Sequence, residues 1–226
     1  MKKLLTIAAL LLLGAQAHAQ LIFNAGYLHA TENLSLTNAV DQTTTGTNAL
    51  DGFYAGAKYR IGLDGLTEGL SFAPGANVSF LFGKMGNAYD QAYFGGIETL
   101  NGANTTEVAL NIPLHVQYLF ELNPDFKLEA WAGPMFQLGI YDRSIDGDGN
   151  PTLIYNHYKD IPYGLTSTIP SRSRINLYLG IGVGVEISSL IHVNVGYDFG
   201  LLNLATAPKD KITRGQLRIG VAYNFL

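Results

Sequence analysis

The chain has 226 residues, no cysteine, 14 % charged residues and a formal net charge of −4. The acidic balance and the lack of any basic run argue against nucleic-acid binding, and the absence of cysteine excludes disulfides and a lipoprotein anchor. The 47 % of hydrophobic residues lie largely in alternating patterns, so the chain is not disordered.

The first residues read as a secretory signal peptide over 1–19. Lys2 and Lys3 supply the positive start, LLTIAALLLLGA the apolar run, and AHA at 17–19 the small-residue cleavage site before Gln20. That run is short for a bilayer-spanning helix, which needs roughly 20 apolar residues; an uncleaved anchor is the rival. No second long apolar run follows, so helical spans are excluded. Residues 20–226 then form one domain.

That domain reads as eight strands, because side chains of a strand alternate between its faces. Strand one (21–30) sets Phe23, Ala25 and Tyr27 against Asn24 and Gly26, and a Thr- and Asn-rich segment, 31–50, reads as a long loop. Strand two (52–63) opposes Phe53, Ala55, Ala57, Tyr59 and Ile61 to Tyr54, Lys58 and Arg60; strand three (70–82) opposes Phe72, Val78, Phe80 and Phe82 to Ser71, Asn77 and Ser79. Pro74 weakens the start of strand three or marks a bulge. After a second long loop, 83–104, strand four (106–121) alternates most cleanly, with Glu107, Asn111, His115 and Gln117 opposite an aliphatic and aromatic face. Strand five (126–141) turns Lys127, Glu129, Trp131 and Gln137 the same way, and a third long loop covers 142–172. Strands six (173–187) and seven place Asn176, Tyr178 and Glu186, then His192, Asn194 and Asp198, opposite faces of Ile, Leu and Val.

Strand eight (211–226) alternates Leu217, Ile219, Val221, Tyr223 and Phe225 with Gln216, Arg218, Gly220, Ala222 and Asn224. Arg218, Gly220, Tyr223 and Phe225 resemble the C-terminal assembly signal of bacterial outer-membrane β-barrels, which departs here in ending on Leu226 rather than on the aromatic residue. Connections alternate long and short, as between extracellular loops and periplasmic turns. The expected fold is all-β: an eight-stranded antiparallel up-and-down transmembrane β-barrel, strand one closing on strand eight because hydrocarbon satisfies no open sheet edge. A soluble lipocalin-like barrel would instead put its apolar face inside.

Over its length the chain resembles small outer-membrane β-barrels of Gram-negative bacteria, with the OmpA/OmpX architecture but no following peptidoglycan-binding domain; the leader, Gly/Tyr-rich strands and long loops resemble the PorT-type barrels. The resemblance implies location in the cell outer membrane, contact with its lipid and lipopolysaccharide, and handling by the barrel-assembly machinery. Envelope protein partners are a further implication.

An eight-stranded barrel is filled by its own side chains, so its inward charges must neutralise one another. The expected polar network joins Lys58, Arg60, Glu129, Glu186, Asp198 and Arg218, with Asp198 and Arg218 paired and the other four in a second layer. A proton or ion path is the alternative use of these groups. Asp146, Asp148 and Asn150 have calcium-loop spacing, but Pro151 and His157 replace the required Gly and Glu, so the segment reads as a turn. No GxSxG, HExxH or phosphate loop occurs, and the lipid face reads as uniformly aliphatic and aromatic. No cofactor and no catalysis are expected. The leading reading is a non-enzymatic barrel acting through its loops as a structural or surface-binding protein. The runner-up is an accessory of an envelope secretion apparatus, with Tyr89, Tyr93, Phe94, Tyr155, Tyr158 and Tyr163 as partner contacts. A lipid-modifying enzyme and a narrow channel follow.

Overall fold

The computed structural model describes residues 19–38, 40–93, 100–145, 154–163 and 167–225. Residues 1–18 of the expected leader, Phe94, the turn expected at 146–150 and Leu226 lie outside the described residues, as does the side chain of Tyr163. Eight long strands form the wall: β1 (Ala19–Thr37), β2 (Thr43–Gly62), β3 (Leu70–Lys84), β4 (Asn104–Asn123), β5 (Phe126–Ile145), β9 (Ile175–Ile187), β10 (Ile191–Gly200) and β11 (Lys211–Phe225). Each pairs antiparallel with the next, and β1 pairs with β11 from Leu21↔Phe225 to Ser35↔Lys211, which closes the ring. Short strands β6 (Ile154–Asn156), β7 (Ile161–Tyr163) and β8 (Ser167–Ile169), with helix α1 (Ala88–Tyr93), lie at the long-loop end.

The outer face of the ring is apolar over a belt. Phe53, Val183, Val221 and Phe225 are all more than half exposed, while polar partners on alternate positions are buried. That inverts the soluble pattern and fits a wall facing hydrocarbon. Pro74 sits at an interruption in the β2–β3 ladder, between Lys58↔Gly75 and Ile61↔Phe72, with no change of register. Its missing N–H is the physical reason.

Two of the long loops are corrected. Segment 31–50 is a continuous hairpin: β1 runs on to Thr37, β2 starts at Thr43, and pairing extends to Thr37↔Thr43. Above the belt the strands keep their register while their chemistry inverts. Leu34 and Leu36 point inward and are buried; Thr31, Asn33 and Ser35 point outward. Segment 142–172 likewise begins as strand, since β5 continues to Ile145 and pairs with β6. Leu34 and Leu36 of the β1 extension join Met85, Tyr89, Leu100, Tyr155, Ile169, Leu204 and Ile212 in a hydrophobic core. The loop end is therefore a folded cap with its own interior.

Candidate functional site

The buried polar residues of the barrel fall into layers. The lowest sits near the short-turn end. Arg60 donates to Glu186 at 2.9 Å, and Lys58 to Glu129 at 3.3 Å. His192 links the two carboxylates: its Nδ1 lies 3.0 Å from Glu129 and its Nε2 3.2 Å from Glu186. Lys127 approaches Glu186 at 3.8 Å from a more open position. Thus the four residues assigned to this layer from sequence are brought together, and His192, which shares their inward face, links them. Desolvated charges hold such positions only when paired and hydrogen-bonded.

One level higher, Arg218 lies 3.5 Å from Asp198, with its guanidinium 4.6 Å from the Tyr54 ring centre. Gln216 donates to Asp198 at 2.9 Å. The indole of Trp131 stacks on His115 at 4.3 Å. It also lies flat against β9 and β10: a Cβ at Gly182 or Gly196 would come within 2.3 Å of it. A cavity of about 30 Å³ remains beside them, bordered by Asn24, Lys58, His115, Gln117 and Arg218. Asn24 Oδ1, His115 Nε2 and Gln117 Nε2 have no hydrogen-bond partner among the described residues. A polar space of this size accommodates water.

The third layer, under the cap, is the one sequence reasoning missed. Arg214 clamps Glu107 through both terminal nitrogens, at 2.6 and 2.5 Å, and also reaches Glu32 at 2.5 Å. Arg172 bonds Glu32 at 2.8 Å, Tyr89 at 3.2 Å, and approaches Asp142 at 3.3 Å. Asp142 faces inward because of a bulge in β5. Val108 pairs with Tyr141 but Ala109 with Gly139, so Ile140 is an extra residue. Inward positions below it are odd-numbered, such as Gln137 and Gly139; above it they are Asp142 and Ser144. An added residue in one strand reverses which face the following side chains take.

Electrostatics follow from this packing. Burial pushes the Glu32 carboxyl up, but the guanidiniums of Arg172 and Arg214 outweigh it and hold its pKa at about 2. His157, in the cap, is driven down to about 3, chiefly by burial and then by Arg172. Its Nε2 lies 2.7 Å from Ser144 Oγ. Two of the loop aromatics assigned as partner contacts are corrected: Tyr89 and Tyr155 are only 3 % and 5 % exposed and belong to the cap interior.

The outer face carries a further correction, because it is not uniformly apolar. His29 and Asp51 point outward at the top of the belt, with side chains 39 % and 57 % exposed and 2.7 Å apart. The assembly-signal residues divide by face. Arg218 and Gly220 turn inward, Gly220 beneath the Tyr54 hydroxyl, while Tyr223 and Phe225 are exposed, Phe225 meeting Phe23 edge-on at 6.1 Å.

A closed ring of eight antiparallel strands, apolar outside and filled with paired charge inside, defines a transmembrane β-barrel. The chain belongs to the outer membrane protein β-barrel domain family, whose model matches residues 5–225. No curated protein matches it. Among solved structures it is similar to Neisserial surface protein A at 14 % identity and a TM-score of 0.45, covering 92 % of this chain and 99 % of that one. It is also similar to the attachment invasion locus protein of Yersinia pestis, bound to the heparin analogue sucrose octasulfate (10 %, TM-score 0.40, 92 % and 99 %). A third similarity is to the outer membrane protease OmpT of Escherichia coli (9 %, TM-score 0.42, 92 % and 97 %). A barrel fold by itself does not decide activity.

Proposed function

We propose that this protein is a non-enzymatic integral barrel that presents its folded extracellular cap as a structural or surface-binding element. The observation behind this is the cap's own hydrophobic core set on the Glu32–Arg172–Arg214–Glu107 network. A loop end built to open for transport has little use for buried, mutually paired charges directly beneath it. On this reading the 1–19 leader directs export. The barrel-assembly machinery takes up the strand carrying Arg218, Gly220, Tyr223 and Phe225, and the belt contacts outer-membrane lipid and lipopolysaccharide.

Native electrophoresis after extraction from the protein's own membrane in mild detergent tests the reading. Migration as a monomer is expected, together with no stepwise conductance in planar bilayers. Migration in a large complex would instead favour the accessory role in a PorT-like secretion apparatus, and discrete conductance steps would favour a channel.

A further inference from the structure

We propose that the small cavity beside Trp131, between the two lower charge layers, binds a monatomic anion of the halide class, held by Lys58, Arg218, Gln117 and His115. The site lies in the lumen, so it goes beyond the role proposed for the cap and does not rest on it.

The charge around the cavity selects an anion. Lys58 on β2 and Arg218 on β11 both border it, and no carboxylate does. Their ion-pair partners hold them loosely. Lys58 donates to Glu129 at 3.3 Å and to Gln117 Oε1 at 3.4 Å, and Arg218 stands 3.5 Å from Asp198. An ammonium carries three N–H donors and a guanidinium five. Lys58 therefore uses two of its three, both at long range. The hydrogen bond that Arg218 makes among the described residues goes to Met135 Sδ, at 3.4 Å. Buried cations this short of acceptors are costly, and a cation in the cavity would add like charge.

Neutral donors converge on the same space. Gln117 and His115 are 1 % and 8 % exposed, yet the Nε2 atom of each has no partner among the described residues. Gln117 Oε1 accepts from Lys58, so the amide is fixed and its NH2 is the end left over. His115, stacked on the Trp131 indole, offers an N–H in its Nε2-protonated tautomer. Asn24 makes no side-chain hydrogen bond among the described residues, and half a turn of its amide exchanges the orphan oxygen for NH2. Each unmet buried donor is a standing penalty. One anion relieves several at once.

Volume narrows the class. The cavity of about 30 Å³ is close to double the roughly 10–15 Å³ that one water requires. That admits an ion somewhat larger than water but neither phosphate nor sulfate. Ala73, Pro113, Ala222 and the Trp131 ring complete the border with apolar surface, which a weakly hydrated halide tolerates. Chloride is the expected occupant.

Trp131, the sole tryptophan of the chain, borders the cavity and supplies the readout. Sodium bromide, a heavy-atom quencher close to chloride in size, is titrated into the detergent-purified barrel, with gluconate keeping the ionic strength constant. Quenching is expected to saturate, to be relieved by chloride and to be unaffected by sulfate. Chloride is also expected to raise the unfolding temperature over gluconate, because it binds the folded state alone. Gln117→Met removes the orphan NH2 at similar volume and is expected to weaken bromide binding about tenfold, with heat-modifiable gel mobility showing a folded barrel. Quenching that rises linearly, without saturation or competition, overturns the proposal and leaves the cavity to water. Unchanged bromide affinity in the folded variant overturns it as well. If the variant does not fold, the titration of the unaltered protein and its unfolding temperature in the two salts decide on their own.

Discussion

The lower and upper halves of β1 obey opposite rules with one register. Up to Tyr27 the outward face is apolar, with Ile22, Asn24 and Gly26 turned inward; from Thr31 the outward face is Thr, Asn and Ser, while Leu34 and Leu36 are buried inside. Nothing in the backbone changes between the halves. What changes is the solvent outside, hydrocarbon below and water above, so the face that must be apolar switches. A single strand thereby joins a membrane barrel whose interior holds layers of paired charge, with a buried apolar cluster of Leu28, Ala30, Leu50, Tyr54 and Leu81, to a cap whose interior is hydrophobic. The upper charge layer, Glu32 with Arg172, Arg214 and Glu107, is where the two meet.

The sharpest way to break this comparison is to unpair that meeting point. Arg214→Met should destabilise the protein by about 3–5 kcal/mol, because it strands the buried Glu107 carboxylate and leaves Glu32 with Arg172 alone. Thermal unfolding in detergent should show a larger loss than Arg218→Met, whose 3.5 Å contact to Asp198 is longer and serves one carboxylate. Equal losses would mean that the upper layer has no special role.

Acid should separate the halves next. His157 titrates at about 3 in the folded cap against an ordinary value of 6.5. A histidine held neutral contributes stability that is complete above its unfolded value and is lost as pH falls below about 6.5, at up to roughly 1.4 kcal/mol per pH unit. The unfolded cap binds the proton that the folded one refuses, so the sign is acid lability. Hydrogen exchange at pH 7 and pH 4.5 should show cap amides opening at the lower pH while belt amides stay protected. His157→Asn should reduce that pH dependence.

Within the belt, Gly182→Ala places a methyl group against the Trp131 indole and should cost about 1–3 kcal/mol by overpacking. Trp131 is the sole tryptophan of the chain, so its emission reports the displacement directly. The smallest effect is expected at the hairpin tip. Lys209→Ala removes an ion pair to Asp41 with both side chains about two-thirds exposed or more, and should change stability by less than about 0.5 kcal/mol. A larger loss would show that the tip is part of the cap's structure.

Much of the lower half was legible from alternation. Lys58, Arg60, Glu129 and Glu186 shared the polar face of their strands, and the filled lumen of a small barrel required them to meet. His192 shared that face too, but alternation assigns a side, not a partner, so its position between two carboxylates was out of reach. The upper network was hidden for a definite reason. Reading strands as apolar-outward ends them where the outward face turns to Thr and Asn, which left Glu32 and Asp142 in loops. Leu34 and Leu36, two apart and on the inward side, carried the signal of continuation. His29, two residues after Tyr27, was likewise on the outward face by count alone.

The sequence by itself determined an all-β barrel with eight wall strands, the inward and outward faces of its belt, and the polar residues of its two lower lumen layers. These follow from a period of two and from the cost of an open edge in hydrocarbon. Only the tertiary structure decided how far the strands run past the membrane and which charges pair beneath the cap. It alone revealed the bulge at Ile140 that turns Asp142 inward. Those depend on contacts between residues far apart in the chain, such as Glu32 with Arg172 and Arg214, and no local pattern encodes them.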